Sequence, residues 1–494
     1  MDPSEAAPSP RAPRRRLRTA AWVAALLLAG LAATLYLKHP DRRPSVLLIT
    51  IDTLRADHLG CYGYGRPTSP HIDHLASEGA LFERVTTSLP RTTQSIASIL
   101  TGRFPKGHGA RGLFSRLSQA NVTLAEILKS EGYATGAFVS NLFLAPGKGF
   151  EQGFEVYGNS PRRYDGDSAP EVTAGALAWL RALPQEKPFF LWVHYLDPHW
   201  TYAPSPPFDA AFDPSFQGPF SLYQDLDAGR FTKGQVIFAN PLDARQTEHV
   251  VALYDGEIAQ VDAALGPLLA QVSRAEAGPT LVVLTSDHGE SLGEHGYHFA
   301  HGEYLYEGTL HIPLVMSLPG TIAPGLRSSI LAQNVDVAPS ILALLGIRGL
   351  QAVDGRPLLV PRGGRAGDPP GWRVGPAPGR QVVFAESDFQ LIHPENRRYY
   401  IPGPAGRWSS ASDGRYKVIH IPRPAGALLE MYDLQEDGGE RHNLEGVGVD
   451  SGIRSRLLRE LARYQDYDAG TPAPGPSDLG PEERQRLKSL GYVN

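Results

Sequence analysis

The sequence is nearly without cysteine. Cys61 stands alone among 494 residues, so no intrachain disulfide can form and no cysteine metal cluster can be built. It has no surplus of positive charge. Lys and Arg total 47 against 52 Asp and Glu, a net of −5, which argues against nucleic acid as a partner. It has no internal repeat, and beyond residue 37 it has no apolar run long enough to span a bilayer. Turn-forming residues are plentiful, with 43 Pro and 52 Gly, which points to many loops. An apolar content of 42% leaves core material for a large domain and a smaller one.

The single long apolar run is Thr19–Leu37, TAAWVAALLLAGLAATLYL, and it carries no charge. At about 1.5 Å per residue it is just long enough to cross a membrane. Residues 1–18 before it hold Arg11, Arg14, Arg15, Arg16 and Arg18. Positive flanks stay inside, so residues 1–18 are expected as a cytoplasmic tail and 19–37 as an uncleaved signal anchor. The rest then lies on the periplasmic or extracellular side. A cleaved signal peptide is the alternative, although the run is long for one and no clean small-residue site precedes Tyr36.

Further along, apolar strands alternate with helical patterns. Val46–Ile51, Ala134–Val139, Pro188–His194, Thr280–Thr285 and Ile312–Leu318 read as strands. Helical patterns fall at Thr68–Gly79, Thr123–Gly132, Glu171–Leu183, Gln246–Val272 and Val335–Leu345. In the first of these, Ser69 is the expected N-cap, Pro70 the first helical residue and Gly79 the stop. This alternation predicts an α/β fold, with a mostly parallel sheet and helices on both faces. Tyr202–Leu242 has weak periodicity and reads as a substrate-side insertion. Residues 360–380 read as a linker. Short strands at Gln381–Glu386, Tyr416–Ile421 and Leu428–Leu434, with helices at Ile453–Tyr467 and Arg484–Leu490, predict a small C-terminal α+β subdomain. The main domain is expected over 45–359 and the subdomain over 381–494.

One stretch, Leu89–Arg103 (LPRTTQSIASILTGR), turns from hydroxyl residues into apolar ones at helical spacing. It predicts a helix N-terminus with Thr92, Thr93 or Ser95 near the cap, a place that suits an anion. In an open α/β sheet, chemistry gathers at the carboxyl ends of strands. Three strands here run into metal-type ligands: Asp52; Asp197 with His199; and Asp287 with His288. Glu294, His295, His298 and His301 follow the third within one loop. Any one alone reads as a cap or a turn. Three together point to one or two divalent ions, with Zn, Mn, Mg and Ca left open. Threonine is a poor nucleophile on its own, but a divalent cation beside a hydroxyl lowers its pKa. Thr92 thereby becomes a candidate nucleophile.

A family resemblance rests on VLLITIDTLRADHLGCYG at Val46–Gly63, SIASILTGRFPKGHG, HYLDPHWTY, and SDHGESLGEHG with HGEYLYEGTLHIPL. MYDLQEDGGERHNL at 431–444 and the terminal LKSLGYVN agree. Together, in this order, they resemble the sulfatase family of the alkaline phosphatase superfamily. The resemblance implies that Asp52, Asp287 and His288 bind a metal together with Thr92. It implies that Asp197, His199 and His301 hold a second metal or touch the substrate, with His199 and His301 as catalytic partners of Thr92. His295 and His298 remain nearby candidates, Arg55 and Asp57 supporting residues, and Asn141 a site-adjacent residue of open role. Cys61 falls in a turn and reads as buried structure.

The sequence also departs from that family. Where sulfatases carry Cys-x-Pro-Ser-Arg or its Ser form, with the first residue converted to formylglycine, this chain has Thr92-Thr93-Gln94-Ser95-Ile96. The family's Gly-Lys-x-His clamp aligns with Val139-Ser140-Asn141-Leu142, and the second acid of its Asp-Asp pair is Thr53. Formylglycine chemistry is therefore not expected. The reading is a membrane-anchored metal-dependent hydrolase of phospho- or phosphonate esters, acting on a small-molecule, glycan or lipid substrate. The alternatives are a sulfatase without formylglycine, a head-group phosphotransferase, and a non-catalytic tethered binding protein.

Overall fold

The computed structural model describes residues 43–467, apart from 113, 161–167, 185, 218–219, 221, 231–232, 275–277, 351, 362–371, 375–379, 388–405 and 424. The expected anchor over 19–37 and the helix over Arg484–Leu490 lie outside the described residues. Among the described residues no helix is long and apolar enough to cross a membrane.

The strands are β1 (Ser45–Ile51), β2 (Ala80–Thr86), β3 (Ala134–Val139), β4 (Val156–Asn159), β5 (Phe189–Tyr195), β6 (Thr280–Ser286), β7 (Ser291–Leu292), β8 (His298–Ala300), β9 (Leu314–Ser317) and β10 (Leu326–Gln333). Eight of them form one sheet in the order β10-β2-β9-β6-β1-β5-β3-β4. Only β9 runs antiparallel to its neighbours β2 and β6. The central strand β1 is buried throughout, and apolar but for Ser45 and Thr50, because both of its faces are covered. Alternation assigns those faces. Val46 and Leu48 pack with Ile96, Ile99, Leu128 and Ile341 on one side. Leu47, Ile49 and Ile51 pack with Ile72, Val172, Val250 and Ile258 on the other.

The helices α1 (Pro70–Ser77), α2 (Thr92–Thr101), α3 (Leu124–Ser130), α4 (Ala169–Ala182), α5 (Leu222–Asp227), α6 (Lys233–Ala239), α7 (Ala244–Val272) and α8 (Val337–Leu344) flank the sheet or lie in the insertion. Thr123 closes a capping box with Glu126 at the start of α3. Ser69 precedes Pro70 as expected, but its hydroxyl donates to Asp73 instead of capping the helix. Gly79 is required by close approach, since a Cβ there would meet the Met316 carbonyl on β9. The insertion between 202 and 242 is not a bare loop, because it holds α5 and α6.

The tail is an antiparallel sheet of β13 (Val383–Glu386), β14 (Ser409–Ser412), β15 (Tyr416–Ile421) and β16 (Leu428–Asp433). Helix α9 (Ser451–Asp466) buries Leu457, Leu461 and Tyr464 against it. A short pair, β11 (Leu359–Pro361) with β12 (Trp372–Val374), occupies part of the stretch expected as linker. Buried Lys417 on β15 ties the tail to the segment that follows β8 in the main domain. Its Nζ lies 2.8 Å from Glu307 and 2.6 Å from Glu440. The Glu307 amide also donates to Glu440 at 2.6 Å.

Candidate active site

The site begins with strand order. Strands β3, β5, β1 and β6 are consecutive neighbours and parallel, so their carboxyl ends form one edge. Asp52 leaves β1, Asn141 follows β3, Asp197 and His199 follow β5, and Asp287 and His288 leave β6. All six are buried.

Helix α2 brings Thr92 to this edge. The helix starts as expected, but its N-cap is Arg91, in extended conformation and with no side-chain cap bond. The hydroxyls turn inward instead of capping. Thr92 Oγ1 donates to Asp52 Oδ2 at 3.3 Å. Ser95 Oγ donates to the Asp287 carbonyl at 2.6 Å, which fixes the helix to the end of β6. Arg91 reaches Glu303 at 2.8 Å, two residues past His301.

Asp52, His194 and Asp287 each offer one ligand atom within 4.8 Å of the others. His194 was not among the ligands expected from sequence. It lies inside β5, in register with Thr50, where a histidine reads as core. Its hydrogen bonds disclose its role. Thr50 Oγ1 takes the Trp192 indole N–H at 2.9 Å and can give its own proton to the Val193 carbonyl at 3.3 Å. It then accepts from His194 Nδ1, also at 2.9 Å. That assignment leaves His194 Nε2 as a bare lone pair, 3.5 Å from Asp52 Oδ2. Burial pulls the imidazole down to about 4, so it is neutral at pH 7.

His288 repeats the pattern. Its Nδ1 donates to the Gly289 carbonyl at 2.9 Å. Its Nε2 faces Asp287 Oδ2 at 3.5 Å and Asp52 Oδ1 at 3.7 Å. Burial holds this ring neutral as well. Donation of one ring nitrogen to an oxygen while the other faces inward is how ligating histidines are oriented.

Here lies the test of fit for a cation. Asp52 Oδ1, Asp287 Oδ2, His194 Nε2 and His288 Nε2 are buried without hydrogen-bond partners. Lone pairs therefore face lone pairs, an arrangement that costs free energy unless a positive ion lies among them. The carboxyls register the same strain. Burial pushes Asp52 up to about 8 against the pull of its bonds from Asn141 and Thr92. Burial and the neighbouring Asp52 push Asp287 well above the usual range. The residues present fit a divalent ion.

The remaining expected residues divide. His301 is brought in, with its ring 4.2 Å from that of His288 and 5.2 Å from that of His199. Its Nδ1 is 2.8 Å from Glu290, a buried acid that the sequence reading passed over because it looks like one more loop carboxylate. His199 Nδ1 lies 2.7 Å from the Trp200 carbonyl. Asp197 accepts from Ser168 at 2.6 Å. His295 does not join them: it stacks on Tyr306 at 3.5 Å between ring centres. His298 turns toward the insertion, 3.3 Å from the Ile237 carbonyl on α6. Arg55 bonds Asp57, Glu294 and the Glu290 carbonyl, and so braces the loop after His288. Cys61 is half-buried, not buried as expected, and burial beside Asp73 pushes its thiol up to about 12.

A mostly parallel sheet with carboxylates and neutral imidazoles at its carboxyl edge, and a helix starting beside them, defines a hydrolase of the alkaline phosphatase superfamily. More narrowly, the chain belongs to the sulfatase family, whose family model, described as Sulfatase, matches residues 44–347. That family is metal-dependent. N-acetylglucosamine-6-O-sulfatase of Bacteroides thetaiotaomicron is 24% identical, over 90% of this chain and 91% of its own length. Human arylsulfatase A is 26% identical over 94% and 95%. The phosphonate monoester hydrolase of Agrobacterium radiobacter shares the fold, with a TM-score of 0.69 and 22% identity over 89% of this chain and 99% of its own. The sequence expectations of family and fold class are borne out.

Proposed function

We propose that the chain is a membrane-anchored, metal-dependent ester hydrolase in which Thr92 attacks phosphorus in a phospho- or phosphonate ester. The observation that carries this reading is the Thr92 hydroxyl, buried at the first position of α2 and hydrogen-bonded to Asp52. Asp52, His194, Asp287 and His288 would hold a divalent ion beside it, which would supply charge against the oxygens of the reacting group and lower the hydroxyl pKa. Thr92 Oγ1 directs its proton to Asp52 Oδ2. The new O–P bond forms as the ester oxygen leaves on the side of His199 and His301. An imidazolium at either position gives its Nε2 proton to that oxygen. Water then cleaves the phosphothreonine. The positive end of α2 favours charge gathering on the phosphoryl oxygens.

Sulfate-ester hydrolysis is the second reading, favoured by curated relatives that are sulfatases. Against it stand Thr92, Gln94 and Ile96 in the formylglycine frame, and Ser140 and Leu142 where the family clamp is basic. Each missing charge-assisted bond is worth roughly 1.5–3 kcal/mol. A panel of 4-nitrophenyl esters separates the two. Phosphodiesters or phosphonate monoesters should exceed the sulfate ester in kcat/KM by at least ~10-fold, in keeping with the loss of those bonds. Equal or faster sulfate turnover reverses the choice.

The anchor reading rests on residues 19–37 and their basic flank. The full-length chain should stay in the membrane fraction after an alkaline wash. Recovery of a shorter soluble protein means that the segment is a cleaved signal.

A further inference from the structure

Asn141 has no role in the reading above, yet it is among the most constrained side chains at the site. It lies two residues after the end of β3 and is 3% exposed. The Phe143 amide donates to its Oδ1 at 2.8 Å. That contact settles the amide's orientation, because a flipped Asn141 would set N–H against N–H. The amide nitrogen must then face Asp52, and Nδ2 donates to Oδ2 at 2.7 Å. Asn159 Nδ2 donates to the Asn141 backbone carbonyl at 3.0 Å and holds the loop from its other side.

We infer that Asn141 is the positioning residue that aims the Thr92 hydroxyl, acting through Asp52. The inference rests on Thr92 being the nucleophile. An aspartate carboxylate has two equivalent oxygens and a broad, two-fold χ2 preference. A fixed donor on one oxygen removes that equivalence. At Asp52, Oδ2 takes both the Asn141 amide and the Thr92 hydroxyl, whereas Oδ1 has no hydrogen-bond partner and faces His288. The two oxygens therefore have separate duties. Oδ2, which also lies 3.5 Å from His194 Nε2, receives the nucleophile's proton, and Oδ1, with no hydrogen bond, is left for the cation. With its hydrogen aimed at Oδ2, the Thr92 oxygen turns its lone pairs away from Asp52.

The flanking residues sharpen the point. Ser140 and Leu142 occupy the positions that the family resemblance reserves for a basic clamp on the substrate anion. The residue between them instead grips the partner of the nucleophile. The loop after β3 has passed from holding the substrate to aiming the attack.

The test uses the full-length protein, saturated with divalent ion, and the best 4-nitrophenyl ester of the panel. Asn141→Ala should lower kcat ~10–100-fold, the range for a lost orienting contact. KM should change by less than about 3-fold and bound metal should match the parent, since the contact acts on the nucleophile and not on substrate binding, while Tm should fall by a few degrees at most for the two side-chain bonds lost. In rapid-quench single turnovers, phosphorylation of Thr92 should slow by the same factor while its hydrolysis is unchanged. Asn141→Asp, which sets a second carboxylate against Oδ2, should be slower still. Full kcat in Asn141→Ala overturns the inference. So does a loss expressed only in KM, or one explained by lost metal. If Thr92→Ala is inactive while Asn141→Ala is fully active, this inference alone fails. If Thr92→Ala is fully active, the nucleophile reading fails and takes this one with it.

Discussion

Thr92→Ala removes turnover, by at least ~10⁴-fold in kcat, and leaves a folded protein that still binds metal. Loss of a nucleophile is among the largest single-residue effects on a covalent mechanism. The fold survives because Thr92 makes one hydrogen bond to Asp52 through its side chain, and Asp52 keeps the bond from Asn141. Such a bond contributes about 1 kcal/mol. In a chain of this size that lowers Tm by only ~1–2 °C, because the entropy of unfolding grows with length. Metal content, Tm and turnover measured on one preparation separate the nucleophile from a structural threonine. Thr92→Ser, which keeps the hydroxyl, should recover measurable activity. Retention of full activity in Thr92→Ala would sink the mechanism.

Removal of the divalent ion has the second large effect. A chelated protein should show no turnover and a lower Tm, both restored by added metal. An ion at about 100 times its Kd contributes roughly 2.7 kcal/mol to the folded state. The pH dependence has a definite sign. Without metal, burial holds the Asp52 pKa at about 8, above its ordinary carboxylate value. The folded metal-free protein then binds a proton that the unfolded chain has released. Its stability falls as pH rises from the carboxylate range through about 8. The ion must displace that proton and the one that burial and Asp52 favour on Asp287, so its affinity rises about tenfold per pH unit for each proton released. The Tm gap between loaded and stripped protein should therefore widen with pH over that interval. Calorimetric titrations in buffers of different ionisation enthalpy will count the protons. A gap that narrows as pH rises contradicts the assignment of Asp52.

The readable parts of the chain were those where burial imposes composition. Strands β1, β5 and β6 are covered on both faces, so their apolar runs stand out and their ends mark Asp52, Asp197, Asp287 and His288. Strands β2, β4 and β10 did not stand out, being nearer the edges of the sheet and mixed in character. Strand β14 is Ser-Ser-Ala-Ser, wholly buried, and it exists because β13 and β15 pair with it on either side. His194 was hidden for a related reason. Its place beside Asp52 and Asp287 depends on the lateral register that sets it beside Thr50, and a linear sequence does not display register. Glu290 and the Asn141 amide also depend on contacts across sequence gaps of 11 and 89 residues.

The tie made by Lys417 bears on how the enzyme comes into being. Glu307 lies six residues after His301, and its partners Lys417 and Glu440 belong to the tail. Tyr306, one residue earlier, donates to Glu430 on β16. A nascent chain that has completed the eight-stranded sheet can hold the segment after His301 through Arg91 and Glu303 but still lacks its contacts to the tail. Translation must pass residue 440 before the whole set of tail contacts can form. The braces that the tail gives this segment are thus among the last contacts the growing polypeptide can make.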